Sequence, residues 1–223
     1  MTRVVALVPA RNEGDRIGAT VVALRELPLD EVVVVDDGSE DATASNALAA
    51  GATVLSIPRS AGKGRAMEGA LRRLPAADVW LFADGDLGDS ASELAPVLAA
   101  VSNGDADLAI ATFPPAAVGG FGIVKRFAGR AIRLLARFDA REPLSGQRAV
   151  TAIALAACRP IAGGFGVETA MTIDAVRRGF RVVEVPAALS HRPTGRSLLG
   201  FAHRGRQGLD IARAVAVRAV GLR

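Results

Sequence analysis

Short β-branched runs alternate with longer helical patterns through the first half of this chain of 223 residues. Five apolar runs have the length and composition of buried strands, and they lie at residues 3–8, 31–35, 53–57, 79–83 and 107–111. The stretches between them have helical patterns, at residues 13–27, 41–50, 63–74 and 90–102. This alternation predicts an α/β fold with a mostly parallel central sheet flanked by helices. Ser90 is predicted to cap the last of these helices.

The pattern changes after residue 112, where a loop rich in proline and glycine begins. Three further elements are predicted there, a basic helix over 121–138, a strand over 181–185 and a final helix over 197–219. Neither an internal repeat nor a break in composition separates them from the first half. We therefore predict a single domain over residues 1–223, in which 113–223 builds over 1–112.

Composition excludes several classes of protein. Half of the residues are hydrophobic and 22% are charged, which is typical of a folded globular protein. No apolar run approaches the roughly 18 to 20 residues of a membrane-spanning helix, and the N-terminus does not resemble a signal peptide. The single cysteine, Cys158, excludes an internal disulfide and a cysteine-based zinc site. We expect a cytoplasmic protein.

The basic residues are unevenly placed. All but two of the 27 are arginine, and residues 192–223 hold seven arginines against Asp210, whereas the whole chain has a net charge of +4. This basic C-terminal region contains the helix predicted over 197–219. The region is either a solvated surface or a contact for phosphate or anionic lipid. The apolar residues of the helix either pack on the domain or meet a membrane surface peripherally, and they are Leu198, Leu199, Phe201, Leu209, Ile211 and Val215.

Nucleic acid is disfavoured as a partner, because the chain has no tyrosine and few aromatic residues.

Polar and charged residues follow the predicted strands at the edge where ligands bind in parallel sheets. Asp84 and Asp86 follow the fourth strand, and two carboxylates so placed can hold Mg²⁺ or Mn²⁺ against a diphosphate. Lys63 lies between two glycines after the third strand. The chain lacks the glycine-rich loops of dinucleotide-binding proteins and P-loop nucleotidases, so the first class is disfavoured and the second is excluded.

Four motifs together carry a family resemblance: VPARNE at 8–13, VDDGS at 35–39, GKG at 62–64 and DGDL at 84–87. Their order and spacing resemble the GT-A nucleotide-sugar glycosyltransferases of the family 2 type, over residues 3–112. The resemblance implies a GT-A (Rossmann-like) fold and a nucleotide-sugar site in the first half. The residues that it places at the donor are Pro9, Ala10, Asn12, Glu13, Asp37, Lys63, Asp84 and Gly85. It also places Asp84 and Asp86 at the metal, with Asp86 catalytic.

The second half is similar to two branches of that group. LSGQRA at 144–149 and RPTGRS at 192–197 resemble segments of the polyprenyl-phosphate sugar transferases, while GFGVE at 164–168 and SHR at 190–192 resemble the glucosyl-3-phosphoglycerate synthases. The resemblance implies acceptor contacts at Ser145, Gly146, Arg148, Arg192 and Arg196. It makes His191 a third metal ligand. Glu168 is either a first-turn helix acid or a catalytic carboxylate that aligns an acceptor hydroxyl.

These motifs favour a metal-dependent glycosyltransferase that takes sugar from a UDP- or GDP-sugar. Its expected acceptor carries phosphate, with polyprenyl phosphate slightly ahead of a small phosphorylated acid such as 3-phosphoglycerate. A nucleotidyltransferase is a weaker alternative, because such enzymes need a glycine-rich loop after the first strand. A binding module without catalysis is disfavoured by the intact pair Asp84 and Asp86. A homodimer is a further expectation.

Overall fold

A single seven-stranded sheet forms the centre of the protein. The computed structural model describes residues 2–113, 122–190 and 198–221, with the backbone only for Phe165 and residues 198–207. The strands are Val4–Ala10 (β1), Glu31–Asp36 (β2), Thr53–Ser56 (β3), Val79–Phe82 (β4), Leu108–Thr112 (β5), Arg148–Thr151 (β6) and Val182–Pro186 (β7). Their order in the sheet is β3-β2-β1-β4-β6-β5-β7. Strands from both halves of the chain therefore share one sheet.

Eight α-helices connect and cover the strands in the described part of the chain. They are Ile17–Arg25 (α1), Thr43–Ala49 (α2), Lys63–Leu71 (α3), Ala95–Ser102 (α4), Gly122–Ala136 (α5), Ala152–Cys158 (α6), Val167–Arg177 (α7) and Leu198–Ala219 (α8). Short 3-10 turns at Gly88–Leu94 and Gly164–Gly166 lead into α4 and α7. No described helix is long and apolar enough to cross a membrane.

The two faces of the sheet bury alternate residues of each strand, as the pleat requires. Ala6 and Val8 of β1 pack with Leu24 of α1 and with α4 on one face. Val5 and Leu7 pack on the other face with Met67 of α3 and with α6 and α7. Since both faces are covered, the central strands consist of nearly continuous apolar residues.

The sequence pattern does not predict strand β6. β6 runs antiparallel between β4 and β5, with Leu81 opposite Ala149 and Ala109 opposite the same residue. All the other pairings are parallel, so the prediction of a mostly parallel sheet is confirmed. β6 has four residues and begins with an arginine, so it lacks the β-branched run that marks the other strands.

The predicted cap at Ser90 is wrong. Ser90 lies inside the 3-10 turn, and α4 begins five residues later at Ala95. The Ser90 hydroxyl donates to the carbonyl of Leu87 and accepts the amide N–H of Ser190, at 2.7 and 3.1 Å. Pro96 in the first turn of α4 marks the true helix start.

Candidate functional site

The loops after β1, β2 and β4 meet at the carboxyl edge of the sheet, where Asp37 anchors the loop that leads into α3. Its backbone N–H donates to the carbonyl of Ala10 at 2.9 Å. Its carboxylate accepts hydrogen bonds from the Ser60 hydroxyl and from the N–H groups of Ala61 and Gly62, at 2.7–2.9 Å. Asp37 is buried, so this carboxylate fixes the position at which Lys63 enters the site.

Lys63 joins the two halves of the chain at this edge. Its ammonium lies 2.7 Å from Asp84 Oδ1 and 2.8 Å from Glu168 Oε1. Burial opposes the charged form, but the carboxylates of Asp84 and Glu168 prevail and hold the pKa of Lys63 above its ordinary value. Glu168 belongs to the first turn of α7 and is almost fully buried, so Lys63 brings the Asp84 carboxylate and a carboxylate of the second half together.

The segment before β6 lies against the same carboxylate. The side-chain amide of Gln147 donates to Asp84 Oδ2 at 2.6 Å, and the Ser145 hydroxyl donates to Gln147 Oε1 at 3.3 Å. Gly146 is buried beside Lys63 and Asp84. The structure therefore brings the predicted acceptor residues Ser145 and Gly146 to the predicted donor residues.

Hydrogen bonds from α1 and from the residue before it hold the Asp84–Asp86 loop in place. The Thr20 hydroxyl donates to the carbonyl of Gly85 at 2.9 Å and accepts the N–H of Gly88 at 2.8 Å. The Arg16 guanidinium donates to the carbonyl of Asp86 at 3.0 Å. An added Cβ at Gly85 would lie 3.0 Å from the Cβ of Ala10, so the loop approaches β1 closely at a residue without a side chain. Thr20 and Arg16 lie mid-helix and before a helix, where no motif marks them.

The β1–α1 loop is tied to the β2–α2 loop by several hydrogen bonds. Asn12 has a left-handed backbone with φ of 56°, and its side-chain oxygen accepts the N–H of Glu40 at 2.9 Å. The N–H of Asn12 donates to Ser39, and that of Glu13 donates to Thr43, at 2.9 and 2.8 Å. Pro9 lies in β1 opposite Val35, one residue before this loop. These residues shape the rim of the site, and their contacts to a nucleotide remain a prediction.

Arg148 does not lie at the open edge of the site. It is 1% exposed, and burial lowers the pKa of its guanidinium to about 10. Its Nε donates to the carbonyl of Ser145 at 2.7 Å and its Nη1 donates to the Thr172 hydroxyl at 2.9 Å. Its Nη2 is buried without a hydrogen-bond partner. In this conformation Arg148 supports the Ser145–Gln147 segment from inside, so the prediction that it contacts the acceptor directly does not fit its burial.

The residues present fit a divalent cation. Asp84 and Asp86 supply hard carboxylate oxygens, and a carboxylate oxygen can accept more than one contact. Magnesium takes its remaining ligands from phosphates and water, so two carboxylates suffice. The described residues contain no cluster of three or more metal-ligating side chains. Three predicted residues, His191, Arg192 and Arg196, lie outside the described residues.

If the protein has the sugar-transfer activity that the sequence predicts, replacing Gly146 with alanine is expected to lower it by about tenfold, because small displacements at a reacting centre are costly. The added Cβ would lie 2.5 Å from Lys63 Nζ and 3.0 Å from Asp84 Oδ2, so both side chains must move. Steady-state kinetics with a UDP-sugar donor measures this effect. Gly69→Ala is the matched control, since its added Cβ meets nothing within 4 Å. Equal rates for the two variants would contradict the packing argument.

Comparison with known proteins shows which family this chain belongs to. The Glycosyl transferase family 2 pattern matches residues 5–151, well over half of the chain. The chain belongs to this family. It is 30% identical over 193 residues to glycosyltransferase AglJ of Haloferax volcanii, an alignment that covers 85% of this chain and 63% of the relative. It is 32% identical over 199 residues to the glucosyl-3-phosphoglycerate synthase of Mycolicibacterium paratuberculosis, which covers 77% of this chain and 59% of the relative. The family 2 chain thus spans about three fifths of the length of these curated relatives.

Solved structures support the same assignment. The crystal structure of glucosyl-3-phosphoglycerate synthase from Mycobacterium tuberculosis with Mn²⁺, UDP and phosphoglyceric acid superposes with a TM-score of 0.81 at 25% identity. That match covers 97% of this family 2 chain and 78% of the other chain. A second structure of the same enzyme, with Mg²⁺ and UDP, gives a TM-score of 0.82. The predicted GT-A fold is therefore confirmed.

Proposed function

We propose that this protein is a metal-dependent glycosyltransferase that moves a sugar from a UDP-sugar to a hydroxyl of a small phosphate-bearing acid, such as 3-phosphoglycerate. The observation that carries the proposal is the contact of Lys63 with both Asp84 and Glu168, at 2.7 and 2.8 Å. It joins the family's donor-side carboxylate to a carboxylate in the half expected to bind the acceptor. Donor and acceptor would then meet where Lys63 lies.

On the donor side, the loops after β1 and β2 would bind the nucleoside. Asp37 holds the Ser60–Gly62 segment, and this contact sets the entry of Lys63. A divalent metal held by Asp84 and Asp86 would neutralise the charge that develops on the leaving diphosphate. Lys63 adds a fixed positive charge beside that position, and fixed charges in a preorganised site stabilise the transition state.

On the acceptor side, Glu168 would orient the attacking hydroxyl. Its carboxylate is buried and accepts a contact from Lys63, which holds its charge in one place. The Ser145–Gln147 segment also contacts Asp84, through the Gln147 amide, and Arg148 supports this segment from the interior. Because Glu168 and Asp84 share Lys63, the hydroxyl would be held close to the sugar carbon that the diphosphate leaves.

The choice of acceptor departs from the preference in the sequence, which slightly favoured polyprenyl phosphate. Relatives named as glucosyl-3-phosphoglycerate synthases, and their structures with phosphoglyceric acid or glycerol 3-phosphate, favour the small phosphorylated acid. The same structures contain UDP, which favours UDP over GDP as the leaving nucleotide. A phosphate on the acceptor would still meet basic residues, since phosphate and guanidinium are complementary.

We expect UDP with Mn²⁺ to raise the melting temperature of the protein, because a ligand that binds only the native state must stabilise it. GDP with Mn²⁺, and UDP without metal, should give smaller shifts. Differential scanning fluorimetry measures this panel, and Asp84→Asn is expected to remove the metal-dependent part of the shift. A larger shift with GDP would contradict the donor assignment.

The acceptor is tested by product formation. The protein with UDP-glucose and Mn²⁺ should release UDP faster when 3-phosphoglycerate is added, and the product should carry both glucose and phosphate. Release that responds to polyprenyl phosphate in detergent but not to 3-phosphoglycerate would contradict the proposed acceptor. Pyrophosphate release from a nucleoside triphosphate and a sugar phosphate would instead identify a nucleotidyltransferase.

A further inference from the structure

Helix α5 exposes apolar side chains on the side away from the domain. Its buried residues are Ala128, Ala131 and Ile132, and it packs against α7 and α8. By contrast, Ile123 is 77% exposed and Leu134 is 82% exposed, with Phe127 44% exposed between them. At about 100° per residue, these three side chains fall within an arc of about 40°. Three large apolar side chains, which form an apolar stripe, are therefore exposed to water on one side of the helix.

A row of arginines lies beside that stripe. Arg126, Arg130 and Arg133 of α5 and Arg137 directly after the helix are all exposed. The first three are spaced four and then three residues apart, which places them on one side of α5. Within the described residues, neither Arg126 nor Arg130 has an acidic partner. Arg133 lies 3.4 Å from Asp139, but both side chains are largely exposed, so this pair is weak. The positive charge of the row is thus available to a partner.

A cleft of about 360 Å³ opens next to the arginine row. Arg126, Arg130, Arg133 and Arg141 are among the residues that line it, together with Lys125. Asp139 is the one acidic residue among the described residues that line it. A cleft with this charge accepts anionic groups, and its position beside the apolar stripe places such groups at the edge of an apolar phase.

We propose that the exposed face of α5, formed by Ile123, Phe127 and Leu134 with the arginine row, docks this protein on an anionic lipid surface. The arginines would contact lipid phosphates while the apolar side chains enter the boundary between head groups and acyl chains. This proposal does not rest on the proposed function, since it concerns a surface outside the Lys63 site.

The combination of positive charge and exposed apolar side chains favours lipid over two other partners. Nucleic acid would use the arginines but leave Ile123 and Leu134 in water. A second copy of the chain that packed α5 on α5 would bring two arginine rows together, and like charges repel. Only a surface that is both anionic and apolar matches the whole face.

The structure also distinguishes α5 from α8, the helix whose apolar residues the sequence assigned either to packing on the domain or to a membrane contact. Ile211 of α8 is 1% exposed and Ala214 is buried, so part of that apolar set packs on the domain. Leu209 is exposed, but the side chains of residues 198–207 lie outside the described part of the structure. Among the described side chains, the larger exposed apolar stripe beside unpaired arginines is on α5.

Co-sedimentation of the full chain with vesicles tests the proposal. We expect binding to vesicles of equal parts phosphatidylcholine and phosphatidylglycerol, little binding to phosphatidylcholine alone, and a steep loss of binding with added salt. Arg126→Glu combined with Arg130→Glu should lower the partition coefficient by at least about tenfold. Leu134→Asp should also lower it, because the apolar contribution is lost.

The control variant combines Arg65→Glu with Arg73→Glu, which changes the charge equally at two exposed arginines in and just after α3. It should bind vesicles nearly as the unmodified protein does. Equal losses in the two double variants would overturn the proposal, since binding would then follow net charge alone. Unchanged binding in the α5 variant, or a dimer in light scattering that the α5 variant abolishes, would overturn it as well.

Discussion

Replacing Asp84 with asparagine is expected to lower sugar transfer by about 1000-fold, the largest change in activity that we predict. The substitution removes a carboxylate that would hold the metal and also removes one of the two anionic partners of Lys63. Lys63 would then pair with Glu168 alone, which moves positive charge away from the leaving diphosphate. Folding should survive, because the side chain of Asp84 is about a third exposed and asparagine has nearly the same shape.

The effect is measured as kcat with a saturating UDP-sugar across a series of Mn²⁺ concentrations. Asp89→Asn is the matched control, since Asp89 lies in the same loop region but its side chain is exposed. That variant should keep nearly the full rate and the metal dependence of the unmodified protein. If Asp84→Asn and Asp89→Asn differ by less than tenfold, the assignment of Asp84 to the metal fails.

The parallel strands and the positions of the loops could be predicted because both depend on local sequence. β1, β2 and β4 are short apolar runs that end in polar residues, and parallel strands place those ends at one edge. The same reasoning predicts from the sequence that Asp37, Lys63 and Asp84 lie at that edge. Local pattern thus determines most of the sheet and the side of the site at which we propose that the donor binds.

The proposed acceptor side depends on contacts between distant residues, which no local pattern shows. Glu168 meets Lys63 across 105 positions of sequence, and Gln147 meets Asp84 across 63. Gln147 stands where the resembled segment has an aromatic residue, and this departure was the one available signal of its amide contact. Arg148 illustrates the same limit: its segment resembles an acceptor segment, yet β6 places its side chain in the interior, which the local pattern does not indicate.

The C-terminal helix is anchored to the half of the protein that contains Glu168. An added Cβ at Gly166 would lie 2.7 Å from the Cβ of Ala214, so the turn before α7 packs directly on α8. Near the end of α8, Arg218 donates hydrogen bonds to the carboxylate of Asp174 on α7 through Nε, at 2.8 Å, and through Nη2. Both side chains are 2% exposed, so a buried ion pair connects the helix to α7.

Replacing Arg218 with methionine is expected to lower the free energy of unfolding by about 3–5 kcal/mol, because it leaves the Asp174 carboxylate buried without its main partner. Arg178 lies 3.5 Å from Asp174 but is partly exposed, so it compensates only weakly. Guanidinium denaturation at neutral pH measures the loss. Arg213→Met, at an exposed position of the same helix, should change stability by less than about 0.5 kcal/mol.

The double variant Arg218→Met with Asp174→Leu separates the ion pair from the packing of the two helices. Removing both charges together abolishes the burial penalty of an unpaired carboxylate, so the double variant should be more stable than Arg218→Met alone. This recovery is expected because apolar groups of similar volume often replace a buried ion pair at little cost. A double variant less stable than Arg218→Met alone would mean that Asp174 stabilises α7 through its other contacts, and the ion pair would then not be what anchors α8.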